Sequence, residues 1–290
     1  MRAKGLVGVG ALAIGATAGA AAYVVARVQG RPRGDVQHYL AGQPSPNAPV
    51  VCLGASIVRG KASVDFVAML RERVPHRTFV NAGVNGNVAW EVLQRLDDVI
   101  SCHPREVVIL VGTNDVLATM NPAAGESARR SKGLPAMPSL RWYEECLAHI
   151  VRRLHDAGAD VALCSLPPLG QDLEDAANAR VREFNAAIAR VAEAQGATYL
   201  PVYERLATLL ASQGADAGPA WTGSWDPGVR SLAEHFLLGR SYDEIAARAG
   251  FVLSPDGVHL DTTGASVVAD LAEGFITSEG FSGSDDPLGD

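Results

Sequence analysis

The sequence predicts an α/β fold: a five-stranded parallel sheet covered by helices on both faces, preceded by one N-terminal hydrophobic helix. Two observations carry that reading. From residue 50 onward, short apolar runs recur, and each is followed by a stretch of helical periodicity. The runs are also apolar throughout rather than alternating, as strands buried on both faces must be.

The elements follow in order. From Gly5 to Ala26 the chain carries no charge. As a helix that run is about 33 Å long, enough to cross a bilayer. Arg2 and Lys4 precede it, and Arg27, Arg31 and Arg33 follow. Residues 1–29 therefore read as a signal anchor or transmembrane helix. A cleaved signal is the alternative, because Ala18-Gly19-Ala20 fits a small-x-small cleavage pattern. Gly8-x-Gly10-x-x-Ala13 imitates a dinucleotide fingerprint, but no strand precedes it, so it is set aside. Residues 30–48, with their Gly and Pro, read as a linker.

A domain over 49–276 comes next. Strands are expected at 50–53, 77–80, 106–111, 160–166 and 197–202, and helices at 63–74, 89–100, 140–157 and 176–195. Ligands of such a sheet bind at the carboxyl ends of its strands. Two insertions break the rhythm. Residues 118–139, rich in Pro, Gly, Ser and Ala, should overhang the site. Residues 204–250 start as a helix, pass through a Trp-bearing loop and resume as a helix near 231–249. Such insertions act as lids or as surface decoration. Trp221, Trp225 and Phe236 either line an acyl slot or pack a subsidiary core. Ser241 with Glu244 reads as a capping box opening a surface helix. The acidic tail, 277–290, reads as disordered.

The net charge is −7, and residues 1–33 hold five basic and no acidic groups, which leaves −12 on the rest. So acidic a body argues against a nucleic-acid partner. The four cysteines, Cys52, Cys102, Cys146 and Cys164, lack metal-ligand spacing. Cys52 and Cys164 fall in strands. Cys102 and Cys146 could pair in an oxidising compartment.

Four segments carry chemistry: Gly54-Ala55-Ser56-Ile57, Asn81-Ala82-Gly83, Gly112-Thr113-Asn114-Asp115 and Asp256-Gly257-Val258-His259. Ser56 follows the first strand and supplies a hydroxyl, which becomes a nucleophile only when a base takes its proton. His259 is the candidate base. Asp256, three residues earlier in a Pro-Asp-Gly turn, can hold the imidazole tautomer. Attack on a carbonyl creates an oxyanion, and donors aimed at it are worth roughly 3 kcal/mol each. The candidates are the N–H of Ser56, the N–H of Gly83 and the amide of Asn114. Each residue taken singly has a plain reading as a turn or cap; the set does not. His235, in the second insertion, is the substitute base.

On these residues the chain resembles the SGNH (GDSL-type) hydrolase family over about 49–276. Ser56, Gly83, Asn114 and the Asp256/His259 pair match its four blocks in order. The resemblance implies a three-layer, flavodoxin-like sandwich, ester or thioester hydrolysis through an acyl-enzyme, and no metal or cofactor. It also implies small-molecule, lipid or sugar esters as substrates. Ala55 stands where the family carries an Asp that helps tie the nucleophile loop. Two other functions remain open: an acyltransferase to a sugar hydroxyl on the same site, and a binding module that has lost catalysis. With the anchor, the catalytic domain is expected at the cell membrane, facing out of the cytoplasm; with a cleaved signal, it is secreted.

Overall fold

A computed structural model of the protein describes residues 18–42, 47–213 and 218–278. The expected anchor before residue 18 and the expected acidic tail from 279 lie outside the described residues. Among the described residues no helix is long and apolar enough to cross a membrane.

The chain enters through helix α1 (18–29) and a short helix α2 (Val36–Ala41). Strand β1 (Val50–Gly54) is followed by α3 (Ser56–Arg59) and α4 (Phe66–Arg73). Next come β2 (Phe79–Gly83), α5 (Ala89–Gln94), α6 (Leu96–Ile100), β3 (Glu106–Leu110), α7 (Thr113–Ala118) and α8 (Pro122–Lys132). Helix α9 (Leu140–Asp156), β4 (Asp160–Cys164), α10 (Ala176–Gln195), β5 (Thr198–Leu200) and α11 (Val202–Ser212) complete the alternation. Helices α12 (Asp226–Leu238), α13 (Tyr242–Ala249) and α14 (Thr262–Ser278) close the chain.

The five strands form one parallel sheet in the order β2-β1-β3-β4-β5. Side chains alternate between two buried clusters, as a period of two requires. Val51, Leu53, Val107, Ile109, Val161 and Leu163 face one core, which α5, α9 and α10 cover. Val50, Cys52, Val108, Leu110, Ala162 and Cys164 face the other, covered by α4, α11 and α14. The expected sandwich is thus present, and helices close both faces because both are apolar.

The strand order reverses at β1. The chain runs from β1 outward to β2, then returns to β3 on the other side. At such a reversal the loops after β1 and β3 leave in opposite directions and open a crevice at the carboxyl ends of the strands. Ser56 follows β1 and Asn114 follows β3, so the topology alone brings two of the four segments to that crevice.

Several expectations need correcting. The stretch read as a linker carries α2, whose Val36 is buried, and Asp35 bridges Asn81 beside β2. The expected helix near 231–249 is two helices, α12 and α13, divided at Gly239 and Arg240. The capping box of Ser241 and Glu244 opens the second. All four cysteines are buried free thiols, so Cys102 and Cys146 do not pair.

Candidate active site

Strand β1 delivers Ser56 to the crevice through a tight junction. Gly54 lies so close to β3 that a Cβ there would collide with the Leu110 carbonyl. Ala55 opens α3 without any side-chain cap, so the family's Asp has no direct substitute. Other groups tie the loop down. The Arg95 guanidinium donates from Nη2 to the carbonyls of Gly54 and Ala82, both at 2.9 Å, and from Nε to Asn87 Oδ1 at 2.8 Å. It fastens β1, β2 and the loop after β2 at one point. Burial lowers its pKa to about 10, which leaves it charged at neutral pH. Asn81 adds a second tie, its Nδ2 donating to Val58 O at 2.7 Å.

The candidate base, His259, comes from the loop between α13 and α14. His259 Nε2 stands 2.9 Å from Ser56 Oγ, and His259 Nδ1 stands 2.7 Å from Asp256 Oδ2. Asp256 folds back because its Oδ1 accepts from the N–H groups of Val258 (2.9 Å) and His259 (2.8 Å). The loop after β4 holds this segment in place. Gly170 N donates to Gly257 O at 2.7 Å, and Gln171 Oε1 accepts from Val252 N (2.5 Å) and Leu253 N (3.0 Å). Gln171 bears no sequence signal that would have marked it.

Burial and pairing oppose each other at this pair. Burial disfavours the charged imidazole, but the charge and hydrogen bond of Asp256 outweigh it and raise the His259 pKa above its ordinary value. For Asp256, burial favours the neutral acid. His259 and the two backbone N–H groups override it, and the carboxyl is held below its ordinary value. An ionised carboxylate therefore faces the imidazole, and it stabilises the imidazolium that forms when a proton arrives.

A cavity of about 240 Å³ opens over Ser56 and His259. Asn114 lines it, its Nδ2 donating to Asn87 O at 3.0 Å. Gly83 does not reach it. Gly83 is buried, its N–H donates to Asn81 Oδ1 at 3.0 Å, and it borders a separate cavity near Arg31 and Asp35. Gly83 sits there for another reason: a Cβ would run into the backbone of Arg59. The glycine of this loop that lines the cavity over Ser56 is Gly86, three residues on. It occupies the third place of a turn closed by Asn87 N donating to Val84 O at 3.2 Å, and its φ is 75°. That sign of φ favours glycine. The sequence signal that marks this turn is the Asn85-Gly86 pair.

The insertions divide unequally. No residue of 118–139 lines the cavity; Lys132 instead donates to Gly86 O at 2.5 Å and braces that loop from outside. From 204–250, Trp225, Val229 and Leu232 of α12 and its N-cap do line it. Trp221 packs edge-on against Trp225, with ring centroids 6.0 Å apart. His235 is occupied elsewhere, its Nδ1 paired with Arg240 O at 2.7 Å and its ring stacked on Tyr242. Among the described residues no group of His, Cys, Asp or Glu could hold a metal ion.

The architecture is that of several solved esterases. The chain aligns with an acetyl xylan esterase, AlAXEase, at 19% identity and a TM-score of 0.53, over 79% of this chain and 99% of that one. Axe2, an acetylxylan esterase from Geobacillus stearothermophilus, aligns at 17% identity and a TM-score of 0.56, over 83% and 98%. A GDSL-like lipase from Bacteroides thetaiotaomicron aligns at 18% identity and a TM-score of 0.55, over 84% and 95%. At such identities the likeness is one of fold. No curated relative matches the chain by sequence. The profile of the GDSL-like lipase/acylhydrolase family, however, matches residues 52–265, from β1 to the start of α14 and across every segment of the crevice. The chain belongs to that family and is an enzyme acting on ester bonds.

Proposed function

We propose that the protein is a serine esterase working through Ser56, His259 and Asp256. One observation carries the reading: an unbroken line of short contacts, Asp256 Oδ2 to His259 Nδ1 at 2.7 Å and His259 Nε2 to Ser56 Oγ at 2.9 Å. His259 takes the Ser56 proton as Oγ attacks the acyl carbonyl. The carbonyl oxygen gains the negative charge. His259 then protonates the leaving alcohol, and the C–O ester bond breaks to give the acyl-enzyme. Water adds in turn, His259 taking its proton and returning it to Ser56, and the acid leaves.

Three donors serve the oxyanion in this reading: the N–H of Ser56, the N–H of Gly86 in place of Gly83, and the Asn114 amide. Ser56 opens α3, so its N–H has no carbonyl a turn behind it. The neighbours' acetylxylan activity supports a carboxylic ester as substrate. The uncharged run from Gly5 to Ala26 supports attachment to the membrane, with the domain outside the cytoplasm. Retention of the protein in membranes after carbonate extraction, lost on deletion of residues 1–17, tests the attachment.

The chemistry is tested with p-nitrophenyl acetate. Ser56→Ala should lower kcat/KM by about 10³-fold or more. With an acceptor alcohol added, a hydrolase still yields free acid alone. Equal rates for the wild type and Ser56→Ala would remove the reading.

A further inference from the structure

We propose that the last turn of α1 is a wall of the substrate cavity, where Val28, with Val229 and Leu232 of α12, holds the hydrocarbon chain of the ester. This rests on the esterase reading and names the substrate class within it.

The last turn of helix α1 is tied into the site, while the turns before it are largely exposed. The last carbonyls of a helix have no partner within it. Here they find partners on the catalytic loops: Asn85 Nδ2 donates to Val28 O at 3.0 Å, and Arg59 Nη2 donates to Gln29 O at 2.6 Å and Gly30 O at 3.0 Å. Asn85 adjoins Gly86, and Arg59 closes the short helix that Ser56 opens. The docking of α1 is thus fixed by the two segments that carry a nucleophile and an oxyanion donor. Val28 and Gln29 line the cavity as a result.

Helix α12 supplies the facing wall. Trp225, its N-cap, and Val229, Leu232 and Phe236 recur at helical spacing and share one face. The first three line the cavity, and Phe236 lies under the Arg27 guanidinium, 5.9 Å from ring centroid to Cζ. The same stripe therefore meets both the cavity and the end of α1.

The chemistry of these walls selects hydrocarbon. No Asp, Glu, Lys or Arg lines the cavity among the described residues; beside Ser56, Asn114 and His259 its polar side chains are Thr113, Gln29 and Asn85, and the Asn85 Nδ2 is spent on Val28 O. A sugar bound against Val28, Val229 and Leu232 would leave hydroxyls unpaired, whereas an alkyl chain leaves none. Trp225 is 55% exposed and Val229 66% exposed at the mouth. A chain laid across them removes apolar surface from water on both partners.

The test uses the full chain with p-nitrophenyl acetate and octanoate, on the wild type, Val28→Asp, Val229→Asp and Val28→Ile. The wild type should favour octanoate in kcat/KM. Both Asp variants should lower the octanoate-to-acetate ratio by about tenfold or more, through KM, and Val28→Ile should retain it. A wild type that favours acetate, or a ratio unmoved in Val28→Asp, overturns the proposal while the esterase reading stands. A wild type that hydrolyses neither ester overturns both.

Discussion

The Asn114 side-chain amide donates to the Asn87 carbonyl at 3.0 Å, which ties the first turn after β3 to the loop after β2. An amide carries two N–H donors. One is spent on this tie, and in the proposed mechanism the other serves the oxyanion. Asn114→Ala should therefore lower kcat toward p-nitrophenyl acetate by about 10²–10³-fold. Its loss of stability should be only about 1 kcal/mol, the scale of one hydrogen bond. Steady-state kinetics and urea denaturation of the same sample separate the two effects.

Gly83 and Gly86 should fail differently. At Gly83 a Cβ meets backbone that cannot yield, so Gly83→Ala should express poorly or unfold at much lower urea. At Gly86 a Cβ would come no closer than 3.6 Å, to the flexible end of Lys132. The cost there is the positive φ, about 1–2 kcal/mol. Gly86→Ala should fold and lose kcat. Circular dichroism with activity on both variants checks the contrast.

The pH profile follows from His259. The imidazole must be neutral to accept the Ser56 proton, and Asp256 raises its pKa above the ordinary 6.5. The kcat/KM of the free enzyme should accordingly rise with pH through an inflection above 6.5. In Asp256→Asn the attractive charge is gone and burial alone remains, so the inflection should move to lower pH. The plateau should drop by about 10⁴-fold, the scale of losing the orienting carboxylate. An inflection unmoved in Asp256→Asn would assign it to another group.

Asp115 makes a prediction about stability. Both its oxygens accept from Ala89 N, at 3.2 and 3.1 Å, which fixes the start of α5. Burial pushes its pKa up to about 8, against an ordinary value of 3.8, and the Ala89 N–H only partly offsets this. Between those values the unfolded chain has released the proton that the folded chain keeps. Stability attributable to this group therefore falls as pH rises from about 4 to 8. Asp115→Asn, which can still accept from Ala89, should flatten that fall in a series of urea melts.

Much of this was legible in the sequence, for reasons that differ by element. Helix α10 was expected at 176–195 and spans Ala176–Gln195, because its apolar period is unbroken and Asp175 and Gly196 mark its ends. The meeting of Ser56, Asp256 and His259 was legible because each lies at a strand end or in a tight turn that fixes its direction. Gly83 was misread because a glycine at a strand end invites a functional role, whereas its smallness serves packing against Arg59. The parts of Arg95 and Gln171 were hidden, since a buried side chain that bonds distant carbonyls and N–H groups leaves no local pattern. The docking of α1 was hidden for a related reason: its apolar composition speaks of burial without saying in what.

The central claim is tested most directly by exposing the full-length protein to a fluorophosphonate and locating the adduct by mass spectrometry of its peptides. The account predicts a single phosphonyl group on Ser56, with fluoride released, and no labelling in His259→Ala. An unlabelled Ser56 in folded wild-type protein, or equal labelling without His259, would contradict it.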